Sequence, residues 1–119
     1  MLPFTEHMQT VIHLVSGDGT EQETSLAIAR NLLDDETGSI DDVAVVVQAD
    51  GIKAIKTGQE SEEQVRALLD DGVSFKACTN TLDMMDLDES DLVEGVETVP
   101  EGAVEVTRLE TEGYAYMRP

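Results

Sequence analysis

Cys78 is the most reactive side chain that the 119-residue sequence offers, and it is the only cysteine. It ends the mostly apolar run 73–78 and precedes Thr79 and Asn80, a pattern typical of a buried strand that leads directly into a helix. Amides at a helix N-terminus favour a thiolate, and the two polar neighbours offer further hydrogen-bond donors. Cys78 is therefore a candidate nucleophile, and the alternative is a buried cysteine that only packs.

The residues around Cys78 exclude one common use of a reactive cysteine. A phosphatase or rhodanese loop needs an arginine six residues after the cysteine to hold the anion, and Met84 occupies that position. The many carboxylates of the chain also oppose a thiolate. Because there is a single cysteine, the sequence excludes an intrachain disulfide and a cysteine-rich zinc or iron–sulfur site.

A glycine-rich turn, residues 16–20, follows the first apolar run and could present amides to a phosphate. It has no Walker lysine and no G-x-G-x-x-G pattern, and Asp18 would repel a phosphate. The turn is better explained as a strand-to-helix connection. Few aromatic side chains are present to flank a flavin, and Cys78 stands where a response-regulator receiver has its phosphorylated aspartate.

His13 lies within the first apolar run and is predicted to be a core or supporting histidine rather than a base. The acidic run 83–91 lacks the glycine and the ligand register of an EF-hand loop, so it is predicted to be a solvated surface. No Ser–His–Asp set and no histidine-rich cluster can be assembled. The sequence therefore predicts neither a metal site nor a cofactor.

The elements that position these residues follow from hydrophobic patterning. Residues 1–9 are predicted to be an N-terminal extension of a single domain, 10–119. Strands are predicted at 10–15, 43–48, 73–78 and 114–117, and helices at 20–33, 52–55, 61–69 and 79–85, with 96–100 left ambiguous. The pattern of 101–112 fits a strand or a helix, and Gly113 at its end favours a helix. Thr20 and Glu23 have the spacing of a capping box. The βαβα alternation predicts a three-layer α/β/α sandwich with a mostly parallel sheet. Segments 16–20, 49–51 and 78–80 should meet at the carboxyl edge of that sheet, where ligands bind.

The chain carries 26 acidic and 7 basic residues, a formal net charge of -19. This charge disfavours binding to nucleic acid and to anionic membranes. The acids are scattered rather than clustered, which favours adaptation to high salt, as in a halophile, over attraction of a basic partner. The start of the chain lacks a basic flank and a long apolar run, and the longest aliphatic stretch, 43–47, is too short to span a bilayer. A cytoplasmic protein is predicted.

Five segments in order resemble the DsrE/DsrF-like family, and the similarity extends over residues 10–119. They are 11–18, 51–52, 73–82, 93–100 and 112–119. The resemblance implies a flavodoxin-like (DsrEFH-like) α/β/α sandwich of about five strands that assembles into homotrimers or hexamers. It also implies a role in sulfur relay.

In that role Cys78 would accept sulfane sulfur from a donor protein as a persulfide and pass it to an acceptor protein, without a cofactor. The resemblance further implies pocket lining by Asn80 and Gly51, and also by His13, Ser16 and Gly17. Two alternatives stay open. One is a small-ligand module for a nucleotide or flavin, and the other is a structural oligomer in which Cys78 only packs.

Overall fold

Five parallel strands form the centre of the molecule in the computed structural model, which describes residues 7–119. The strands are β1 (Met8–Leu14), β2 (Ile40–Val47), β3 (Ser74–Cys78), β4 (Glu97–Val99) and β5 (Tyr114–Met117). Their order across the sheet is β4-β3-β2-β1-β5, and every neighbouring pair is parallel. β1 and β2 are rich in valine and isoleucine and buried on both faces, as central parallel strands must be.

Helices connect the strands and cover both faces of the sheet. They are α1 (Gly19–Leu33), α2 (Glu62–Asp70), α3 (Thr79–Met84) and α4 (Gly102–Thr111), with 3-10 segments at Ala49–Ile55 and Glu89–Asp91. The predicted α/β/α sandwich with a mostly parallel sheet of about five strands is confirmed. The segment 96–100, ambiguous from its pattern, contains the short edge strand β4.

The two faces of the sheet are covered unequally. The larger apolar cluster joins α1 through Leu26 and α2 through Leu68 to Phe75 of β3. On the opposite face, α4 packs Val106 and Leu109 on a small patch formed by Val11, Ala44 and Val46. One helix therefore covers most of that face, and its position decides what is exposed beside it.

The start of α1 differs from the prediction. The helix begins at Gly19, and Asp18 is its N-cap, with its carboxylate accepting from the amides of Thr20 and Glu21. The predicted capping box of Thr20 and Glu23 is wrong, because Thr20 already lies in the first turn. A carboxylate at the N-cap satisfies two amides that the helix leaves without partners.

The other boundaries lie within a few residues of their predicted positions. Gly72 and Gly113 have φ of 103° and 102°, the left-handed conformation in which a helix ends and a strand begins. β1 starts at Met8, while residues 1–6 of the predicted extension lie outside the described residues. Within residues 7–119, no helix is both long and apolar enough to cross a membrane.

Candidate functional site

The carboxyl edge of the sheet brings Cys78 beside Gln48. Val47 of β2 pairs with Ala77 of β3, so Gln48 and Cys78, one residue further on, are neighbours across the two strands. Val46 faces α4, and residues two apart in a strand share a face, so Gln48 is placed on the α4 face. Cys78 is placed there too, because Lys76, two residues before it, reaches α4.

Cys78 is almost fully enclosed, with only 1% of its surface exposed. Its Sγ donates a hydrogen bond to Oε1 of Glu101 over 3.6 Å. Glu101 is the extended residue (φ -146°, ψ 120°) that immediately precedes α4, and its side chain makes no capping hydrogen bond to that helix. The carboxylate is therefore directed to the thiol instead of to the helix.

Gly102 is the first residue of α4, and it lies against both strand ends. A Cβ placed on Gly102 would come within 2.8 Å of Gln48 Oε1 and 3.4 Å of Cys78 Cβ. The first distance is shorter than real Cβ contacts allow, so a side chain here would displace Gln48. Glycine thus lets the first turn of α4 approach Cys78 closely.

A chain of hydrogen bonds extends from Gln48 away from Cys78. His13 Nε2 lies 2.7 Å from Gln48 Oε1, and His13 Nδ1 lies 2.7 Å from the hydroxyl of Tyr116. The His13 and Tyr116 rings meet edge to face with centroids 5.6 Å apart. His13 is half-buried and its two ring nitrogens bond to Gln48 and Tyr116, so it supports Gln48.

An ion-pair cluster holds α4 against β3. Glu105 is 2% exposed and accepts from Lys76 Nζ at 2.7 Å and from Arg108. Burial acts to raise the pKa of the Glu105 carboxyl. The hydrogen bond and charge of Lys76, together with the charge of Arg108, outweigh burial and keep this pKa below its usual value. The cluster fixes the helix whose first turn lies beside Cys78.

Gly51 and Asn80 occupy different positions at this edge. Gly51 is buried, its amide donates to the carbonyl of Val15 at 3.0 Å, and an added Cβ would lie 2.3 Å from the carbonyl oxygen of Leu14. Its lack of a side chain is therefore a packing requirement. Asn80 has an exposed side chain. Its backbone amide donates to the carbonyl of Pro100 at 3.4 Å, which connects α3 to the segment that carries Glu101.

Ser16 and Gly17 belong to the start of α1. Ser16 Oγ donates to Glu21 and accepts from the amide of Asp18, so its hydrogen bonds organise the first turn of the helix. Gly17 is exposed, and a Cβ there would lie 2.9 Å from Cβ of Asp50, so glycine lets the turns 16–20 and 49–51 approach each other.

Two residues near Cys78 were not predicted, Gln48 and Glu101. Gln48 is the last residue of a strand predicted at 43–48, and its polarity at the end of five aliphatic residues was the available signal. Glu101 was predicted as the first residue of a helix, whereas it is the N-cap residue just before α4. The backbone of an N-cap residue is not helical, and the extended backbone of Glu101 lets its side chain reach Cys78, which the sequence could indicate only by giving the exact start of the helix.

A separate polar cavity of about 340 Å³ lies between α1 and the segment that leads into α2. Among residues 7–119, Lys53 is the only cation that lines it, and Glu23 and Glu60 line it as well. Since α1 and α2 cover the face opposite to α4, this cavity is separate from the Cys78 site. Within residues 7–119, no cluster of three or more histidine, cysteine, aspartate or glutamate residues is arranged to hold a metal ion.

Comparison with solved structures gives close matches over nearly the whole chain. A protein of unknown function (MTH1491) from Methanobacterium thermoautotrophicum is 34% identical with a TM-score of 0.89, over 94% of this chain and 99% of its own. The ychN protein from E. coli is 18% identical with a TM-score of 0.77, over 96% of this chain and 99% of its own. At 18% identity the likeness to ychN shows the fold alone.

A protein of unknown function from Bacteroides thetaiotaomicron shares the same fold, with a TM-score of 0.74 at 12% identity over 93% of this chain and 94% of its own. No curated protein matches the sequence. The model of the DsrE/DsrF-like family matches residues 9–119, which include every residue of the site around Cys78. With this match and a structural relative at 34% identity, the chain belongs to the DsrE/DsrF-like family.

Proposed function

We propose that the protein is a sulfur carrier that accepts sulfane sulfur on Cys78 as a persulfide and passes it to a thiol of a partner protein. Membership of a family associated with sulfur relay supports this function. The observation that carries it is the hydrogen bond from Cys78 Sγ to the carboxylate of Glu101 at 3.6 Å. It supplies a proton acceptor to the only thiol of the chain.

The transfer balances without an oxidant or a reductant. The Cys78 thiol gives its proton to Glu101, and the thiolate attacks the outer sulfur of a donor persulfide. The sulfur–sulfur bond of the donor breaks as the new one forms on Cys78, and the donor leaves as a thiolate that takes up a proton. Delivery to the acceptor is the same exchange with the acceptor thiol as the nucleophile.

Charge is conserved locally when Glu101 takes the proton. Before the transfer the pair carries a negative carboxylate and a neutral thiol, and afterwards a neutral carboxyl and a negative sulfur. The first turn of α4 begins beside Cys78 with no side-chain cap on it. The partial positive charge at the N-terminus of this ten-residue helix favours the negative sulfur.

Access to Cys78 requires local movement, since only 1% of its surface is exposed. Pro100 is exposed, Glu101 is half-buried, and the hydrogen bond from Asn80 to the Pro100 carbonyl is long at 3.4 Å. Displacement of residues 100–102 would open the thiol while the Glu105 cluster holds the rest of α4 in place.

Mass spectrometry after incubation with a persulfide donor tests the proposed function. The wild-type protein should gain the mass of one sulfur atom, and Cys78→Ser should gain none because no other cysteine exists. A known carrier treated in parallel is the positive control. If that carrier gains sulfur and the wild-type protein does not, the proposed function is wrong.

The burial of Cys78 favours a second candidate, a structural oligomer in which the thiol only packs. In that case alkylation of Cys78 should be very slow in the folded protein and fast after denaturation. The cavity beside Lys53 is the feature that a small-ligand module would use, and a nucleotide or flavin extracted from purified protein would favour that function.

We also propose two properties of the whole molecule, assembly into a homotrimer or hexamer and adaptation to a cytoplasm of high salt. The first rests on the family, and light scattering of the purified protein measures it. The second rests on the net charge of -19 and on the scatter of the carboxylates along the chain.

A further inference from the structure

The hydrogen-bonded chain Tyr116–His13–Gln48 has no part in the sulfur transfer described above, yet it ends at the site of that transfer. Both of its bonds measure 2.7 Å, and its three members are on β5, on β1 and at the residue that follows β2. His13 and Gln48 are half-buried, and polar side chains at such positions are costly unless each is satisfied. Their alignment towards one residue indicates a role for that residue.

The chemistry of the three groups sets the direction of the chain. Gln48 Oε1 can only accept, so His13 Nε2 carries the hydrogen and donates to it. In the neutral ring the other nitrogen, Nδ1, then accepts from the hydroxyl of Tyr116. Tyr116 thereby orients the His13 ring, and His13 in turn fixes the Gln48 amide with its oxygen towards the ring.

With its oxygen engaged, the Gln48 amide retains two N–H donors. Within residues 7–119 neither one donates to another group, and because no buried side-chain nitrogen there lacks a partner, both donors are accessible. Gln48 Oε1 and Cys78 Cβ lie 2.8 Å and 3.4 Å from the same point, the position of a Cβ on Gly102. The end of the Gln48 side chain and Cys78 are thus neighbours beside the first turn of α4.

We propose that Gln48 donates an N–H hydrogen bond to the anionic sulfur on Cys78, in the thiolate and in the terminal sulfur of the persulfide. His13 and Tyr116 are positioning residues that hold the amide with its donors free. This role rests on the proposed function and adds to it a donor that stabilises the sulfur anion, where Glu101 supplies the proton acceptor. Because Gly102 has no side chain, the space that the Gln48 side-chain amide occupies stays open.

Two substitutions of Gln48 test the donor directly. Gln48→Glu keeps an acceptor for His13 and removes both N–H donors, while Gln48→Met removes all polar groups without adding charge. A hydrogen bond to a charged group contributes about tenfold or more in an equilibrium. We expect each variant to lower the rate of Cys78 alkylation by a neutral haloacetamide about tenfold, and to shorten the lifetime of the persulfide. Gln59→Met, at an exposed glutamine distant from Cys78, is the matched control and should change neither.

A coupling measurement separates positioning from packing. His13→Phe should lower the alkylation rate less than Gln48→Met does, and the double variant should be no slower than Gln48→Met alone, because His13 acts through Gln48. Hydrogen exchange of the backbone amides of Glu101 and Gly102 reports the opening of the site in every variant. A change in alkylation rate without a change in exchange assigns the effect to the sulfur anion.

Wild-type alkylation rates in both Gln48 variants would overturn the role of Gln48, and so would additive effects of Gln48→Met and His13→Phe. The proposed function fails separately, when the wild-type protein gains no sulfur from a persulfide donor, because alkylation measures the thiolate without any donor. If Gln48→Glu does not fold, Gln48→Met gives the same comparison.

Discussion

At the scale of single residues, Cys78 stands between two groups with opposite hydrogen-bonding capacity. Glu101 can only accept, and the side chain of Gln48, whose amide carries two donors, ends beside the same first turn of α4 as Cys78. The proposed transfer requires that a proton leave the sulfur and that a negative charge remain on it, and these are the roles that we propose for Glu101 and Gln48. The thiol itself was identified from residue type alone, whereas both neighbours depend on how distant segments meet.

Replacing Glu101 by glutamine tests whether the carboxylate serves as a base or only as a repulsive charge. General-base catalysis contributes roughly 10²- to 10⁴-fold, so we expect Glu101→Gln to slow persulfide formation on Cys78 at least about a hundredfold at neutral pH. Stopped-flow mixing with a donor followed by mass spectrometry gives the rate.

Glu97→Gln, at an exposed carboxylate on β4, is the matched control for this experiment and should leave the rate unchanged. A faster reaction in Glu101→Gln than in the wild-type protein would contradict the base role. It would mean that the negative charge of Glu101 only opposes the thiolate.

At the scale of elements, the carboxyl edge depends on the close approach of backbones. A Cβ on Gly51 would lie 2.3 Å from the backbone oxygen of Leu14, whereas nothing lies within 4 Å of one on Gly19. We expect Gly51→Ala to lower the free energy of unfolding by about 3 kcal/mol, at the upper end of the range for overpacking. Gly19→Ala should change it by less than about 1 kcal/mol, since alanine suits a helix. Urea unfolding of both variants measures the difference, and equal stabilities would refute the packing requirement.

The contact of α4 with β3 should make the free energy of unfolding depend on pH in the acid range. The folded-state pKa of Glu105 is lowered, so its contribution is present above the unfolded pKa, near 4.5, and is lost as pH falls through the folded pKa. Glu105→Gln should lower the free energy of unfolding at pH 7 by about 3 kcal/mol, the cost of breaking a buried ion pair. The difference from the wild-type protein should shrink as the pH is lowered below about 4.5.

Unfolding as a function of pH measures this, with Glu110→Gln on the exposed side of α4 as the control. A difference that stays constant down to acid pH would contradict it.

The side-chain contact between Tyr114 of β5 and Asp42 of β2 should make the free energy of unfolding depend on pH in the alkaline range. Burial, followed by the hydrogen bond that Tyr114 donates to Asp42, raises the pKa of Tyr114 to about 12 from 10.0. A raised folded-state pKa means that this contribution is complete below pH 10 and is lost as pH rises towards 12. Tyr114→Phe should therefore lose less stability than the wild-type protein over that interval in urea unfolding. Parallel pH profiles would show that Tyr114 makes no such contribution.

The fold could be predicted from the sequence to within a few residues at most boundaries. Parallel strands that are buried on both faces consist of continuous apolar runs such as 43–47, which are visible in the local sequence. The cap of α1 could not, since Asp18 and Thr20 are both good N-cap residues and the choice depends on where the helix starts. Gln48 and Glu101 could not be assigned to the site either. They meet Cys78 through the register of β2 with β3 and through the start of α4, which are long-range properties.

At the scale of the whole molecule, the net charge of -19 is the dominant feature. Ion pairs such as Lys76–Glu105 engage few of the 26 acidic residues, because the chain has only 7 basic ones. The remaining carboxylates repel one another in the folded state, and this repulsion weakens as the Debye length falls from about 10 Å at 0.1 M salt to about 3 Å at 1 M. Folding should therefore be favoured by salt.

We expect the free energy of unfolding to rise steadily between about 0.1 M and 1 M KCl, the range over which screening shortens from about 10 Å to about 3 Å. A charge-reduced variant provides the matched control, since it keeps the core and removes part of the repulsion. Its substitutions fall on exposed acids and are Glu36→Gln, Glu60→Gln, Glu94→Gln and Glu110→Gln. The variant should be more stable than the wild-type protein at low salt and should depend less steeply on KCl, because both effects arise from the same repulsion. Equal slopes would mean that salt acts on apolar burial and not on charge, and the acidity would then need a basic partner to explain it.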